Sequence, residues 1–94
     1  MVLKIYEWMV TDLKLTKNEL LVFAVIYNYR RGEWFNVPKR IISDWAGITP
    51  RGISRIIQRL SELCFIEYKV LIDDEVGCYS VYKISETILE KYKD

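Results

Sequence analysis

Three arginines, Arg51, Arg55 and Arg59, recur every four residues within "SDWAGITPRGISRIIQRL", Ser43 to Leu60. At about 100° per residue this spacing sets them along one face of a helix. Ser54 and Gln58 fall beside them, while Ile53, Ile56, Ile57, Leu60 and Cys64 gather on the opposite side. A guanidinium donates two parallel hydrogen bonds to phosphate oxygens or to the edge of guanine, and the Gln58 carboxamide can pair in the same bidentate way with adenine. The chemistry indicated is recognition of nucleic acid, weighed against the plainer reading of a solvated arginine face. Lys39, Arg40 and Arg51 favour recognition, because each sits in the first turn of an expected helix. A cation there opposes the helix dipole and costs about a few tenths of a kcal/mol, and a bound phosphate reverses that penalty while accepting from free backbone N–H groups. The candidate site is therefore Lys39, Arg40, Thr49, Arg51, Ser54, Arg55, Gln58 and Arg59.

The charge distribution singles out the same segment. Residues 38–59 hold five bases against Asp44 alone, a local +4, whereas the remaining nine bases and twelve acids sum to −3. The net charge of +1 hides this contrast.

Other chemistry has little material. The 94 residues contain no histidine, which removes imidazole acid–base catalysis, histidine triads and histidine metal sites. Two cysteines, Cys64 and Cys78, cannot make a four-cysteine zinc site, and their unlike contexts point to free thiols in a reducing, cytoplasmic setting. No phosphate-binding glycine loop occurs. Asp73, Asp74 and Glu75 lack the spacing of a calcium loop and read as a solvated turn. An enzyme, a cofactor and a metal are not expected. The longest apolar run, Leu20 to Tyr27, is far short of the roughly 20 residues that span a bilayer, and the N-terminal stretch lacks a signal-peptide core.

These side chains need elements to position them. The length and the 51% hydrophobic content fit one globular domain over residues 1–94. Residues 1–12 read as an N-terminal arm, extended or a short strand. "TKNE", Thr16 to Glu19, is a capping-box pattern that opens a first helix over 16–30, apolar on nearly every face and so central. Gly32 is expected to stop it. "WFNV" reads as a short strand, and Pro38 as the first residue of a second helix over 38–46. Gly47 breaks that helix. Thr49 caps, and Pro50 opens, a third helix over 50–64. A hairpin follows over 65–84, with its turn at "DDEVG", and Ser85 is placed to cap a last helix over 86–92. Gly52 inside the third helix costs roughly 1 kcal/mol against alanine; close approach of a DNA backbone or a neighbouring helix, and mere accident, are equal readings.

Between the second and third helices, Ser43 is the small residue at the crossing, Gly47 the turn, and Ile48 the buried turn residue. Ile53 and Ile56 lock the third helix, and Ile42, Trp45 and Ala46 form the inner face of the second. The expected fold is mainly α with a small antiparallel β-sheet: a winged helix-turn-helix, with a three-helix core, a β-hairpin wing and a short C-terminal helix. The aromatics are expected to fill this core, except Tyr6 and Trp8 in the arm, which with the first helix offer a partner surface.

On "LTKNELLV", "IISDWAGI" and "RIIQRL" leading into a strand, the chain resembles the N-terminal winged-helix domain of phage and plasmid replication initiators and of DnaD-type replisome organisers. The resemblance covers nearly the whole chain. It implies double-stranded DNA binding through the third helix, in replication initiation or transcription regulation. It also implies a homodimer, or docking to a replication-complex partner, through the arm and first helix. The alternative it leaves open is a protein-interaction winged helix that does not touch DNA. Two departures stand out: the wing tip is acidic where DNA-gripping wings are basic, and these 94 residues are expected to hold one domain where replication initiators usually carry a second. The long dimerisation helices of MarR-like repressors are absent too. The acidic wing is expected to stay off the DNA.

Overall fold

Thr16 and Glu19 begin the best-buried helix as expected. In the computed structural model, which describes residues 2–92, the Thr16 hydroxyl accepts from the Glu19 backbone N–H, and the Glu19 carboxylate accepts from the Thr16 N–H. This closed capping box satisfies two of the donors a helix start leaves free. The helix, α2 (Lys17–Asn28), then buries Val22 through Tyr27 without a break. A run that is apolar all round has nowhere to sit but the centre. It ends at Asn28, two residues before the expected limit, and Gly32 (φ +59°) turns the loop beyond it instead of stopping it.

The N-terminal arm is not a strand. Its middle forms a short helix, α1 (Glu7–Thr11), and Met9 beneath it is fully buried. Trp8 stacks on Tyr92 (centroids 4.2 Å apart) and meets Phe23 and Tyr27 edge-on. Lys4 is pinned through both backbone groups to the Asn28 carboxamide. These contacts reward a compact arm. Tyr92 also donates to Asp12 at 2.8 Å, which together with Thr11 holds that carboxyl below its ordinary pKa. Residue 1 of the expected arm and residues 93–94 lie outside the described residues.

Next come β1 (Phe35–Asn36), α3 (Lys39–Ala46), α4 (Pro50–Glu62), β2 (Ile66–Asp73), β3 (Gly77–Ile84) and α5 (Glu86–Lys91). The three strands form one antiparallel sheet in the order β1-β3-β2. Phe35 pairs with Tyr82, and the hairpin register runs from Ile66↔Ile84 to Asp73↔Gly77. About half the chain is helical, and the helices and sheet share one core.

Several local expectations move by small steps. Pro38 caps α3 from outside, one residue earlier than its expected place. Trp45 leaves the inner face: it is exposed, and its indole N–H reaches the Tyr29 hydroxyl at 3.4 Å. An eight-residue helix needs only one narrow stripe, and Ile42, with Ile41 and Ala46, supplies it. Ile48 is half-buried rather than buried. Cys64 leaves the third helix altogether. It takes a left-handed conformation (φ +63°) and is exposed, because the chain must turn there into β2. Phe65 packs against the core instead, near Phe23. Ser85 stands at the N-cap of α5, its carbonyl accepting from the Ile88 and Leu89 N–H groups, but its hydroxyl makes no cap bond and donates instead to the Cys64 carbonyl at 2.6 Å.

Candidate nucleic-acid interface

The turn between α3 and α4 is built from three residues. Gly47 is left-handed (φ +68°), a conformation a Cβ disfavours, and its N–H closes α3 on the Ser43 carbonyl. The Ser43 hydroxyl donates to the Ile48 carbonyl at 2.6 Å across the turn. Thr49 then caps α4 by accepting from the Gly52 N–H at 3.2 Å. A Cβ on Gly52 would lie 2.7 Å from the Ile48 side chain. A larger residue at 52 would require the Ile48 side chain to move, so close packing within the turn favours glycine there.

Ile53, Ile57 and Leu60 seat α4 on the core, with Ile56 half-buried beside them. That seating leaves Arg51, Ser54, Arg55, Gln58 and Arg59 exposed on one face. Among the described residues, neither Arg51 nor Arg55 has an acidic partner. Arg59 differs, since its Nε lies 3.8 Å from Glu19 on α2. This pair is open to solvent and weak.

The first turn of α3 comes alongside. The Lys39 ammonium donates to the Ser54 hydroxyl at 2.9 Å, and Ser54 donates in turn to the Pro50 carbonyl at 3.2 Å. Ser54 therefore serves as a clip between the two helix starts, and among the described residues the polar side chains of this α4 face that make no such contact are Arg51, Arg55 and Gln58. Arg40 is exposed next to Lys39. Lys39 and Ser54 are fifteen residues apart, and no sequence signal joins them. Glu19 at the edge of the face was equally hidden, as its capping role was its only visible one.

The hairpin tip carries the opposite charge. Asp73 accepts from the Glu75 and Val76 N–H groups, which hold its carboxyl below the ordinary carboxylate range, Val76 contributing most. Asp74 and Glu75 are exposed. Among the described residues no group of three or more metal-ligating side chains occurs, and no helix is long and apolar enough to cross a membrane. No protein-family model matches the chain, and neither curated proteins nor solved structures give a match.

Proposed function

We propose that this chain is a winged helix-turn-helix that binds duplex DNA, with α4 in the major groove and the first turn of α3 on the backbone. The observation that carries it is the outward face of α4, where among the described residues Arg51 and Arg55 stand without acidic partners beside Lys39 and Arg40. All four cations lie on the first turns of two helices or one turn further in. Phosphates there turn an unfavourable dipole interaction into a favourable one. Arg55 and Gln58 are the side chains placed to reach base edges, guanine and adenine respectively. One helix offers few base contacts, so a monomer binds weakly and useful specificity requires an assembly, as in replication initiation or transcription regulation. Two exposed, unpaired thiols fit a cytoplasmic protein.

A second reading, docking of a protein partner through the arm, rests on Val2, Ile5 and Val10, which are exposed. Tyr6 and Trp8 add less to it than their types suggest, because their rings stack on the chain's own aromatics.

Fluorescence anisotropy with a labelled random-sequence duplex, titrated at several salt concentrations, tests the proposal. Binding is expected at low salt, with log K falling against log salt at a slope of about −3 to −4, for three or four neutralised phosphates. No binding at low salt returns the arginine face to plain solvation or protein docking. The same assay addresses the hairpin tip. Asp73→Asn, Asp74→Asn and Glu75→Gln together should leave affinity unchanged or raised, and the carboxamide introduced in place of Asp73 keeps an oxygen to accept from the turn amides. A clear loss with the fold intact would show that the tip contacts DNA.

A further inference from the structure

The strand β2 is an edge of the sheet: β3 pairs with its inner side, and among the described residues no strand pairs with the outer one. Such an edge exposes a row of backbone N–H and C=O groups, and proteins ordinarily blunt it by shortness, a proline, a bulge or charges. β1, the opposite edge, is two residues long. β2 has eight residues, no proline or glycine, and a register with β3 unbroken from Ile66 to Asp73. Alternation divides its side chains between two faces. Tyr68, Val70 and Ile72 share one face and are all exposed. Glu67, Lys69 and Asp73 share the other. Glu67 and Lys69 are neighbours there, yet among the described residues neither takes part in an ion pair. The Lys69 ammonium lies over the Trp34 ring, 4.2 Å from its centroid.

We infer that β2 pairs antiparallel with β2 of a second copy of this chain, about a twofold axis through Tyr68. Directly opposite residues in an antiparallel pair point to the same face, so a symmetric pairing centres on one residue, and the charges select which. Centred on Tyr68, Glu67 of each copy stands opposite Lys69 of the other, Val70 stands opposite Ile66, and the two Tyr68 rings meet at the axis. Centring on Glu67 or Lys69 sets that charge against itself. Centring on Val70 sets Glu67 against Asp73, and centring on Leu71 brings Glu67 towards Glu75 in the turn. Centring on Ile66 or Ile72 leaves at most three residues of each strand in register. Opposite charges and aromatic pairs across strands are stabilising, and like charges destabilising. Glu67 and Lys69 thus deter an unrelated strand and find their complement in a second copy. The overlap, Ile66 to Val70, falls short of the roughly 1,200 Å² of a stable interface, so the dimer is a weak one. It is one form of the assembly that duplex specificity requires, but it forms without DNA, so its absence leaves the duplex reading standing.

Sedimentation equilibrium of the DNA-free chain at low salt, from about 10 μM to about 1 mM, is the test. A monomer–dimer equilibrium is expected. Glu67→Lys and Lys69→Glu should each weaken it by at least about tenfold, because each sets like charges opposite one another. An equimolar mixture of the two variants should associate as a heterodimer. The double swap, Glu67→Lys with Lys69→Glu, should bring self-association back to within a few fold of wild type. Both positions are exposed, so melting temperatures should stay near that of wild type. Recovery in the mixture or the double swap is a result that loss of folding cannot imitate. The inference is overturned by a monomer over the whole range, which would leave the edge to a foreign strand. It is overturned equally by a dimer that the single reversals leave intact, or by failure of both the mixture and the double swap to restore association.

Discussion

Replacing Arg51, Arg55 and Arg59 together with alanine should lower duplex affinity at low salt by at least about a hundredfold, since each charge-assisted contact is worth roughly 1.5–3 kcal/mol. The salt dependence should collapse with it. Removing one phosphate-neutralising cation lowers the slope by about one, and with Arg55 assigned to a base edge two such cations are lost, so a slope near −3 to −4 should fall to about −1 to −2. The fold has little reason to suffer. All three side chains are exposed, alanine is the better helix former, and the Arg59–Glu19 contact at 3.8 Å is solvent-screened. Anisotropy and a thermal melt on the same sample separate the two effects. An unchanged slope in a folded variant would place any DNA contact elsewhere on the surface, and the reading of α4 as the recognition helix would go with it. Arg51→Ala and Arg55→Ala singly should each cost more than Arg59→Ala, because only Arg59 already leans on a carboxylate.

Phe23→Ala should be the most damaging single change to the fold. The ring is fully buried on α2, edge-on to Trp8 and Phe65 and stacked near Tyr27, with centroids between 6.0 and 6.3 Å. It thereby joins the arm, the central helix and the start of β2 in one cluster. Truncating a buried phenylalanine costs about 3–5 kcal/mol, and the total for a domain is only about 5–15 kcal/mol. In a chain of this size each kcal/mol moves the melting temperature by about 4–8 °C, so a drop of roughly 15 °C or more is expected by circular dichroism. Trp45→Ala is the natural comparison. It removes a larger side chain from an exposed position and should shift the melt by a few degrees at most, about 0.5 kcal/mol being usual for surface changes. Similar melts for the two variants would mean that the aromatic cluster does not hold the domain together.

The two variants also show how unequal the sequence signals are. Phe23 was legible as core because it lies in an unbroken apolar run behind a capping box, and both features act within one or two helical turns. Trp45 was misplaced because its spacing from Ile42 suits the same helix face, and only the packing of a short α3 against α2 and α4 decides how wide that face is. Cys64 was drawn into the helix by the same periodicity, although the chain's entry into β2 ends the helix at Glu62.

What the sequence determined by itself is what adjacent residues can decide among themselves. The Thr16 and Thr49 caps, the left-handed Gly47, the hairpin with its turn, and the separation of arginines from isoleucines along α4 all follow from backbone preference and helical period. The tertiary structure decided which of these residues meet. It clipped Ser54 to Lys39, set Gly52 against Ile48, and folded the arm into a helix against Phe23 and Tyr92. Local preferences depend on a few neighbouring torsions and are written in the order of residues. A contact between Lys39 and Ser54, or between Trp8 and Tyr92, depends on how whole elements pack, and sequence spacing carries no measure of that distance.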